Sequence, residues 1–219
     1  MILPAIEGLL RKMPDFVPEN MAESIRGRAK VMPLGLPASL FSTETDDYQG
    51  NDERTPPTDS HSPPTVLWNH RWEYDKNPDE FFEVLFDLDR AGVEFRLIVA
   101  GENFRTAPAI FEAAREVLAG KIDHFGYVAH CGEYEKLLMR SDIVVSTARH
   151  EFYGLSVLEA MAARCYPLLP NRLSYPELIS FRYHGQYLYQ NTAELRGKLI
   201  DLGKNDIPHG INLFKRDSR

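Results

Sequence analysis

Cysteine is scarce in this sequence, which has only Cys131 and Cys165 among its 219 residues. Two thiols exclude a disulfide framework and fit a reducing compartment. No apolar run approaches the length of about 18 residues that predicts a membrane helix. The first residues contain Pro4 and Glu7 and lack the long apolar core of a signal peptide. We therefore expect a cytoplasmic protein, with the nucleus as the alternative, and no membrane partner.

Positive charge is also in short supply. The chain has 25 Lys and Arg residues against 32 Asp and Glu residues, which gives a net charge of −7. This balance provides no overall field that would attract nucleic acid or an anionic membrane. The sequence also lacks a zinc-protease helix, a Walker loop, a nucleophile-elbow serine and cysteine pairs with metal spacing. We therefore predict none of these sites, and no metal.

Residues 44–64 have almost no large apolar side chains. The stretch contains six acidic residues and four prolines, with Tyr48 as its one large apolar residue. Such a segment buries too little apolar area to offset the entropy lost on ordering, so we predict a disordered acidic linker. Residues 1–43, with two predicted helices around Leu3–Met13 and Pro18–Arg28, are too poor in apolar surface for a domain. We expect them to be the end of another lobe, and residues 206–219 to be a tail.

A regular alternation of strands and helices begins after the linker. Six apolar strand segments are separated by helical segments between residues 65 and 205: TVLWNH, VEFRLIVAG, KIDHFGYV, DIVVSTA, YPLLP and QYLYQ. Strands that are apolar throughout, with a helix after each, indicate a parallel sheet covered on both faces. The sequence therefore predicts an α/β fold with a doubly wound, Rossmann-like parallel sheet over residues 65–205.

Ligands bind at the carboxyl ends of the strands in sheets of this kind, and three strand ends carry unusual residues. Arg71 and Lys76 follow the first strand, close to the start of a helix. Two cations beside free helix N–H groups suit a phosphate or diphosphate. The alternative is a pair of solvated loop charges. His70 lies at the same strand end. It either contacts a ligand or is an ordinary loop residue.

The third and fourth strands end in glycine-containing loops. Gly126 permits a flat ligand to approach the backbone closely with Tyr127 beside it, or it simply forms a turn. The stretch RHEFYGLSVLEA follows the fourth strand, where Gly154 precedes a helix whose N–H groups would face an anion. Glu151 and Glu159 flank this glycine as hydrogen-bond acceptors. The spacing of Ser156 and Glu159 also matches a capping box, which would leave Glu151 and Gly154 unexplained.

The Arg/Lys loop, the glycine turn and the two glutamates, in this order on one α/β domain, resemble the donor-binding C-terminal lobe of GT-B glycosyltransferases. Within these, the pattern is similar to retaining enzymes of glycosyltransferase family 4. The segments NHRWEYDKNPDEFF and HEFYGLSVLEAM resemble sequences of the tRNA-queuosine α-mannosyltransferase family. The resemblance covers about residues 1–205 apart from the linker. The chain departs from family 4 at Ala163–Pro167, where a glycine usually precedes the proline of the next strand.

The resemblance implies a role for each of the residues that carry it. Glu151 would be the catalytic carboxylate, binding hydroxyl groups of the donor sugar, and Glu159 would bind the nucleotide ribose. The remaining donor-binding positions would be Arg71 and Lys76 for the diphosphate, Gly154, Leu155 and Ser156 for the phosphates and sugar, and Gly126, Tyr127 and Val128 for the nucleobase.

The resemblance also implies the substrates. GDP-mannose would be the donor and queuosine in tRNA the acceptor, with retention at the anomeric carbon and neither cofactor nor metal. Two alternatives remain: a UDP- or ADP-sugar enzyme with a small acceptor, and a non-catalytic sugar-nucleotide-binding fragment. A GT-B enzyme has two lobes, and residues 1–43 match only the last elements of the first. We expect the tRNA contacts to lie mainly on that other lobe.

Overall fold

A computed structural model describes residues 2–14, 20–30, 32, 34–40, 62–103, 107–205 and 207. The predicted linker and tail lie outside the described residues apart from residues 62–64 and 207. The chain divides into two units, residues 1–35 and residues 36–219. The first unit contains helix α1 (Ile2–Leu10) and helix α2 (Met21–Arg26), which are linked by an ion pair of 3.1 Å between Arg26 and Glu7.

The second unit is built on a six-stranded sheet in which every neighbouring pair is parallel. Its strands are β1 (Thr65–Trp68), β2 (Arg96–Ala100), β3 (Ile122–Gly126), β4 (Ile143–Val145), β5 (Tyr166–Pro170) and β6 (Leu188–Tyr189). Their order is β3-β2-β1-β4-β5-β6, which is the doubly wound Rossmann order. The predicted strands are confirmed; β5 spans the whole of its predicted segment, and each of the other five is shorter than predicted.

Helices follow the strands as the sequence predicts. They are α3 (Pro78–Arg90), α4 (Ile110–Val117), α5 (Cys131–Arg140), α6 (Leu155–Ala162), α7 (Tyr175–Leu178), α8 (His184–Tyr187) and α9 (Thr192–Lys204). Pro78 occupies the first turn of α3, where its missing N–H group leaves no helical bond unmade. Residues 184–187, predicted in part as strand, form the short helix α8 instead, so that only Leu188 and Tyr189 remain in β6.

The sheet is buried on both faces, which explains the continuous apolar runs of its strands. Val66 and Trp68 of β1 join a core cluster with residues of α3, α4 and α9, whereas Leu67 joins a second cluster with Leu138 of α5. Leu40, which precedes the linker, is also buried in this second cluster. Residues 36–40 therefore belong structurally to the sheet unit.

The departure from the family 4 pattern lies in the turn between α6 and β5. Arg164 there has φ 71°, a left-handed conformation that glycine adopts more readily than other residues. The next residue, Cys165, is buried, and its thiol contacts the backbone carbonyls of Leu138 and Ser141 at 3.4 and 3.3 Å. The turn therefore keeps a glycine-like backbone without the glycine.

β1 is the strand at which the connections change direction. It pairs with β2 on one side and with β4 on the other. β3 lies beyond β2, and β5 and β6 lie beyond β4. In doubly wound sheets a crevice opens at this point, outside the carboxyl ends of the two central strands. The loops that follow β1 and β4 carry most of the predicted site residues, so the topology itself brings them together.

Candidate functional site

The loops that follow β1 and β4 are fastened to each other by hydrogen bonds. The Thr147 hydroxyl donates to the carbonyls of Lys76 and Asn77 at 3.0 and 2.9 Å. The backbone N–H of Arg149 donates to the carbonyl of Asp75 at 2.8 Å. Segments that are far apart in sequence are thus held in a fixed relation at the carboxyl edge of the sheet.

Lys76 is a buried cation at this edge. It lies in a 3₁₀ turn (Tyr74–Lys76) and is 8% exposed. Its Nζ donates to the carbonyl of His150 at 2.8 Å and lies 3.3 Å from Oε2 of Glu151. A second carboxylate, that of Asp75, is 3.4 Å away. Buried charges are retained only when they are paired, and Lys76 is paired mainly with residues of the β4 loop.

Glu151 organises its own loop. Its Oε1 accepts hydrogen bonds from the backbone N–H groups of Phe152, Tyr153 and Gly154 at 3.0, 3.3 and 3.0 Å. Burial by itself raises the pKa of Glu151, but the Gly154 N–H and the charge of Lys76 outweigh it, so the pKa lies below its ordinary value. The side chain is therefore an anion at neutral pH, bound on one oxygen by the loop and on the other by Lys76.

Gly154 directly precedes helix α6, and its conformation requires glycine. It has φ 80°, and a Cβ there would lie 3.0 Å from Cδ1 of Leu178. The next two backbone N–H groups, on Leu155 and Ser156, have no hydrogen-bond partner within the described part of the chain. Ser156 is the second residue of the helix rather than its cap, and no side chain caps the helix. The capping-box alternative is therefore wrong, and the free N–H groups remain for an anion.

Glu159 lies one turn further along α6 and takes part in a different contact. Its Oε2 accepts a hydrogen bond of 3.0 Å from the hydroxyl of Tyr134, on α5. That hydroxyl in turn accepts from Nδ2 of Asn69, directly after β1, at 3.0 Å. Burial raises the pKa of Glu159 above its ordinary value, against the opposing effect of the Tyr134 hydrogen bond.

His70 lies beside these groups and is buried. Its Nδ1 is 3.4 Å from the hydroxyl of Ser156, and its ring packs edge-on against Trp68. Burial, followed by the nearby charge of Lys76, lowers the pKa of His70 to about 4. The imidazole is therefore neutral at physiological pH and adds no charge to the crevice.

The other predicted residues lie at the same edge of the sheet but outside this hydrogen-bonded group. Arg71 is exposed and pairs with Glu73 at 3.2 Å. Gly126 ends β3 with φ 144°, two strands away from β1, and Tyr127 after it is 65% exposed. Val128 packs partly buried against the cluster that contains Leu138. The structure thus assembles Lys76 with the β4-loop residues, leaves Arg71 on the loop after β1, and places the predicted nucleobase residues two strands away, after β3.

Asn69 and Tyr134 are site residues that the sequence did not single out. Asn69 carried the signal of a polar residue directly after a buried strand, the same signal that drew attention to Arg71. Tyr134 carried none, because it lies within an ordinary amphipathic helix and reaches Glu159 only through the packing of α5 beside α6. Contacts between helices of this kind cannot be derived from local sequence.

A family profile described as glycosyl transferases group 1 matches residues 51–208, which is more than half of the chain. The chain belongs to the glycosyl transferase group 1 family. Within the described residues of this family member, no helix has the length and apolar character needed to cross a membrane. The same residues contain no cluster of three His, Cys, Asp or Glu side chains suited to a metal ion; the expectation that no metal is needed stays a prediction.

Two curated relatives match parts of this glycosyl transferase. A tRNA-queuosine alpha-mannosyltransferase of Drosophila melanogaster is 34% identical over 204 residues, or 91% of this chain and 51% of the relative. A GDP-mannose-dependent alpha-(1-6)-phosphatidylinositol dimannoside mannosyltransferase of Mycobacterium tuberculosis is 27% identical over 121 residues, or 54% of this chain and 31% of the relative. The chain thus spans about half the length of the first relative.

Solved structures agree on the fold. The C-terminal domain of a glycosyl transferase group 1 family protein from Francisella tularensis matches with a TM-score of 0.55 and 23% identity, covering 66% of this chain and 78% of that one. A glycosyltransferase from Rickettsia africae matches with a TM-score of 0.52 and 20% identity, covering 67% of this chain and 40% of that one. The fold is that of the Rossmann-like C-terminal lobe of GT-B glycosyltransferases.

Proposed function

We propose that this chain is the donor-binding part of a retaining glycosyltransferase that transfers mannose from GDP-mannose to queuosine in tRNA. One observation carries the donor-binding role. The buried Lys76 and the free N–H groups of Leu155 and Ser156 lie at the carboxyl edge of the two central strands, beside the anionic Glu151. A cation and a helix N-terminus suit a diphosphate, and a carboxylate suits sugar hydroxyl groups.

The reaction explains why such groups are needed. When the bond between mannose and the diphosphate breaks, negative charge develops on the departing phosphate. Lys76 and the first N–H groups of α6 are fixed in advance by the fold and would stabilise that charge without reorganisation. Because this charge is met by protein groups, the proposed reaction requires neither metal nor cofactor.

Donor binding would change the partners of two side chains. Lys76 is paired with Glu151. A diphosphate would take Nζ of Lys76 as its partner, and Oε2 of Glu151 would then accept a hydroxyl group of the sugar. The two events are coupled, because each releases a group that the other uses.

The substrates are proposed from the relatives. Both carry mannosyltransferase in their names, and the mycobacterial one is described as dependent on GDP-mannose, which favours a GDP-linked mannose over a UDP- or ADP-sugar. The relative that covers more of this chain acts on tRNA-queuosine by its name, which favours tRNA as acceptor and the cytoplasm as location. The mycobacterial name leaves a lipid-linked acceptor as the alternative.

A donor titration tests the proposal. We expect GDP and GDP-mannose to bind more tightly than UDP and UDP-glucose in a calorimetric titration. Glu151→Gln should weaken GDP-mannose about tenfold, since hydrogen bonds to a charged group contribute about 1.5–3 kcal/mol. It should spare GDP, which has no mannose for Glu151 to hold, and Lys76 would lose one of its two carboxylate partners. Glu177→Gln, an exposed change on α7, is the control. Equal losses for both ligands would contradict the assignment of Glu151 to the sugar.

Binding of tRNA by this chain alone is expected to be weak. Affinity for nucleic acid depends mainly on neutralised phosphates, and the chain has a net charge of −7. Filter binding of queuosine-containing tRNA at several salt concentrations would measure it. Tight and strongly salt-dependent binding would contradict the expectation that the tRNA contacts lie mainly on the other lobe.

A further inference from the structure

Asn69, Tyr134 and Glu159 form a continuous hydrogen-bonded row across three elements of the sheet unit. Nδ2 of Asn69 donates to the Tyr134 hydroxyl at 3.0 Å, and that hydroxyl lies 3.0 Å from Oε2 of Glu159. Nδ2 also donates to the backbone carbonyl of Ser156 at 2.7 Å. The row thus connects the end of β1 with α5 and α6.

The direction of each bond in the row is determined by its partners. The Ser156 carbonyl can only accept, so the amide of Asn69 must present its NH₂ group there. The second hydrogen of that group goes to the Tyr134 oxygen, which therefore accepts. A tyrosine hydroxyl has a single proton, and the remaining direction is toward Glu159. Tyr134 is thereby fixed as a donor to the carboxylate.

Burial keeps this arrangement in one state. Asn69 is 5% exposed, and the pKa of Tyr134 is raised by burial and by the charge of Glu159, so the hydroxyl keeps its proton at any physiological pH. Oε2 of Glu159 is engaged by the Tyr134 hydroxyl. Its other oxygen, Oε1, has no hydrogen-bond partner among the residues that the structure describes. One oxygen is held while the other is left to accept a bond from a ligand.

We propose that Tyr134, held by Asn69, is a positioning residue that orients the carboxylate of Glu159 toward the ribose hydroxyl groups of the donor nucleotide. The inference rests on the proposed sugar-nucleotide function and on the ribose role of Glu159. Without the hydrogen bond from Tyr134, the carboxylate of Glu159 would rotate freely about its last torsion angle. Only some of the orientations of this carboxylate would then allow hydrogen bonds to the ribose. The effect of Tyr134 is then confined to ligands that carry ribose hydroxyl groups.

The test compares GDP with 2′,3′-dideoxy-GDP, which differs only in lacking those hydroxyl groups. Tyr134→Phe should weaken GDP about tenfold and 2′,3′-dideoxy-GDP less than about twofold, as measured by calorimetry. Asn69→Ala should act in the same direction. Tyr183→Phe, which removes the hydroxyl of a tyrosine packed against Tyr187 and away from α5, is the matched control and should change neither affinity. A thermal melt verifies that every variant is folded.

A double-mutant cycle separates positioning from packing. If Tyr134 acts through Glu159, then Tyr134→Phe should cause no further loss of GDP affinity in a chain that already carries Glu159→Ala. Additive losses, or equal losses for GDP and the dideoxy ligand, would overturn the inference and leave Tyr134 as a packing residue. A wild-type chain that binds both nucleotides equally overturns the ribose role of Glu159 and this inference with it, but leaves the proposed sugar-nucleotide function standing. A chain that binds neither overturns the proposed function and the inference together.

Discussion

Lys76→Met is expected to weaken GDP binding by about ten- to a hundredfold, because a charge-assisted hydrogen bond contributes about 1.5–3 kcal/mol. Methionine keeps the apolar stem of the lysine but removes the ammonium group that would meet the diphosphate. The buried position of Lys76 makes the effect large, since little water competes for the charge at a side chain that is 8% exposed. Calorimetric titration with GDP measures the loss.

Lys121→Met is the matched control for this substitution. Lys121 precedes β3, at the opposite, amino end of the strands, and its ammonium group pairs with Asp89 and Glu94 at 3.5 and 3.3 Å. Its removal should leave GDP affinity unchanged. If Lys76→Met left the affinity as high as this control does, Lys76 would be a structural partner of Glu151 only, and the diphosphate would have to bind elsewhere.

Gly101→Ala is expected to lower the free energy of unfolding by about 3 kcal/mol or more, because overpacking against backbone leaves no side chain that can yield. Gly101 follows β2, where the backbone passes close to the loop after β1. A Cβ at this position would lie 1.9 Å from the carbonyl oxygen of His70 and 3.2 Å from the ring of Trp72. The β1 loop would have to move, and donor binding should weaken with it. Chemical denaturation and GDP titration measure the two effects.

Gly120→Ala provides the comparison within the same chain. Gly120 lies in the turn before β3, and a Cβ there meets no atom within 4 Å. The same methyl group should therefore change stability by no more than about 0.5 kcal/mol, the usual range for a surface substitution. A similar, small effect at both glycines would show that the β1 loop is not held against β2, and that the crevice is less rigid than its contacts indicate.

Much of the fold was available from the sequence because its signals are local. The apolar runs and the glycines and prolines between them predicted six strands and the helices that follow, and the parallel arrangement followed from their alternation. The strand predicted over residues 186–190 was wrong at residues 186 and 187, which belong to helix α8. Short apolar segments suit either a strand or a helix, and only their packing on the sheet distinguishes the two.

The sequence predicted many of the residues of the candidate site but few of the contacts between them. Position after a strand selected Lys76, Glu151 and Gly154, and the doubly wound order brought their loops together at the central strands. The sequence placed the start of the helix directly after Gly154, and the structure confirms a start at Leu155. The spacing of Ser156 and Glu159 also suggested a capping box, but both residues lie within the helix, so neither caps it.

The sequence by itself determined the fold class, the family and the edge of the sheet at which ligands bind, because strand periodicity, turn residues and motif spacing are properties of neighbouring residues. Only the tertiary structure decided which groups are already engaged and which are free. Lys76 pairs with Glu151, and Tyr134 pairs with Glu159. These partners come from different elements, and the distance between them is set by how the helices and loops pack on the sheet.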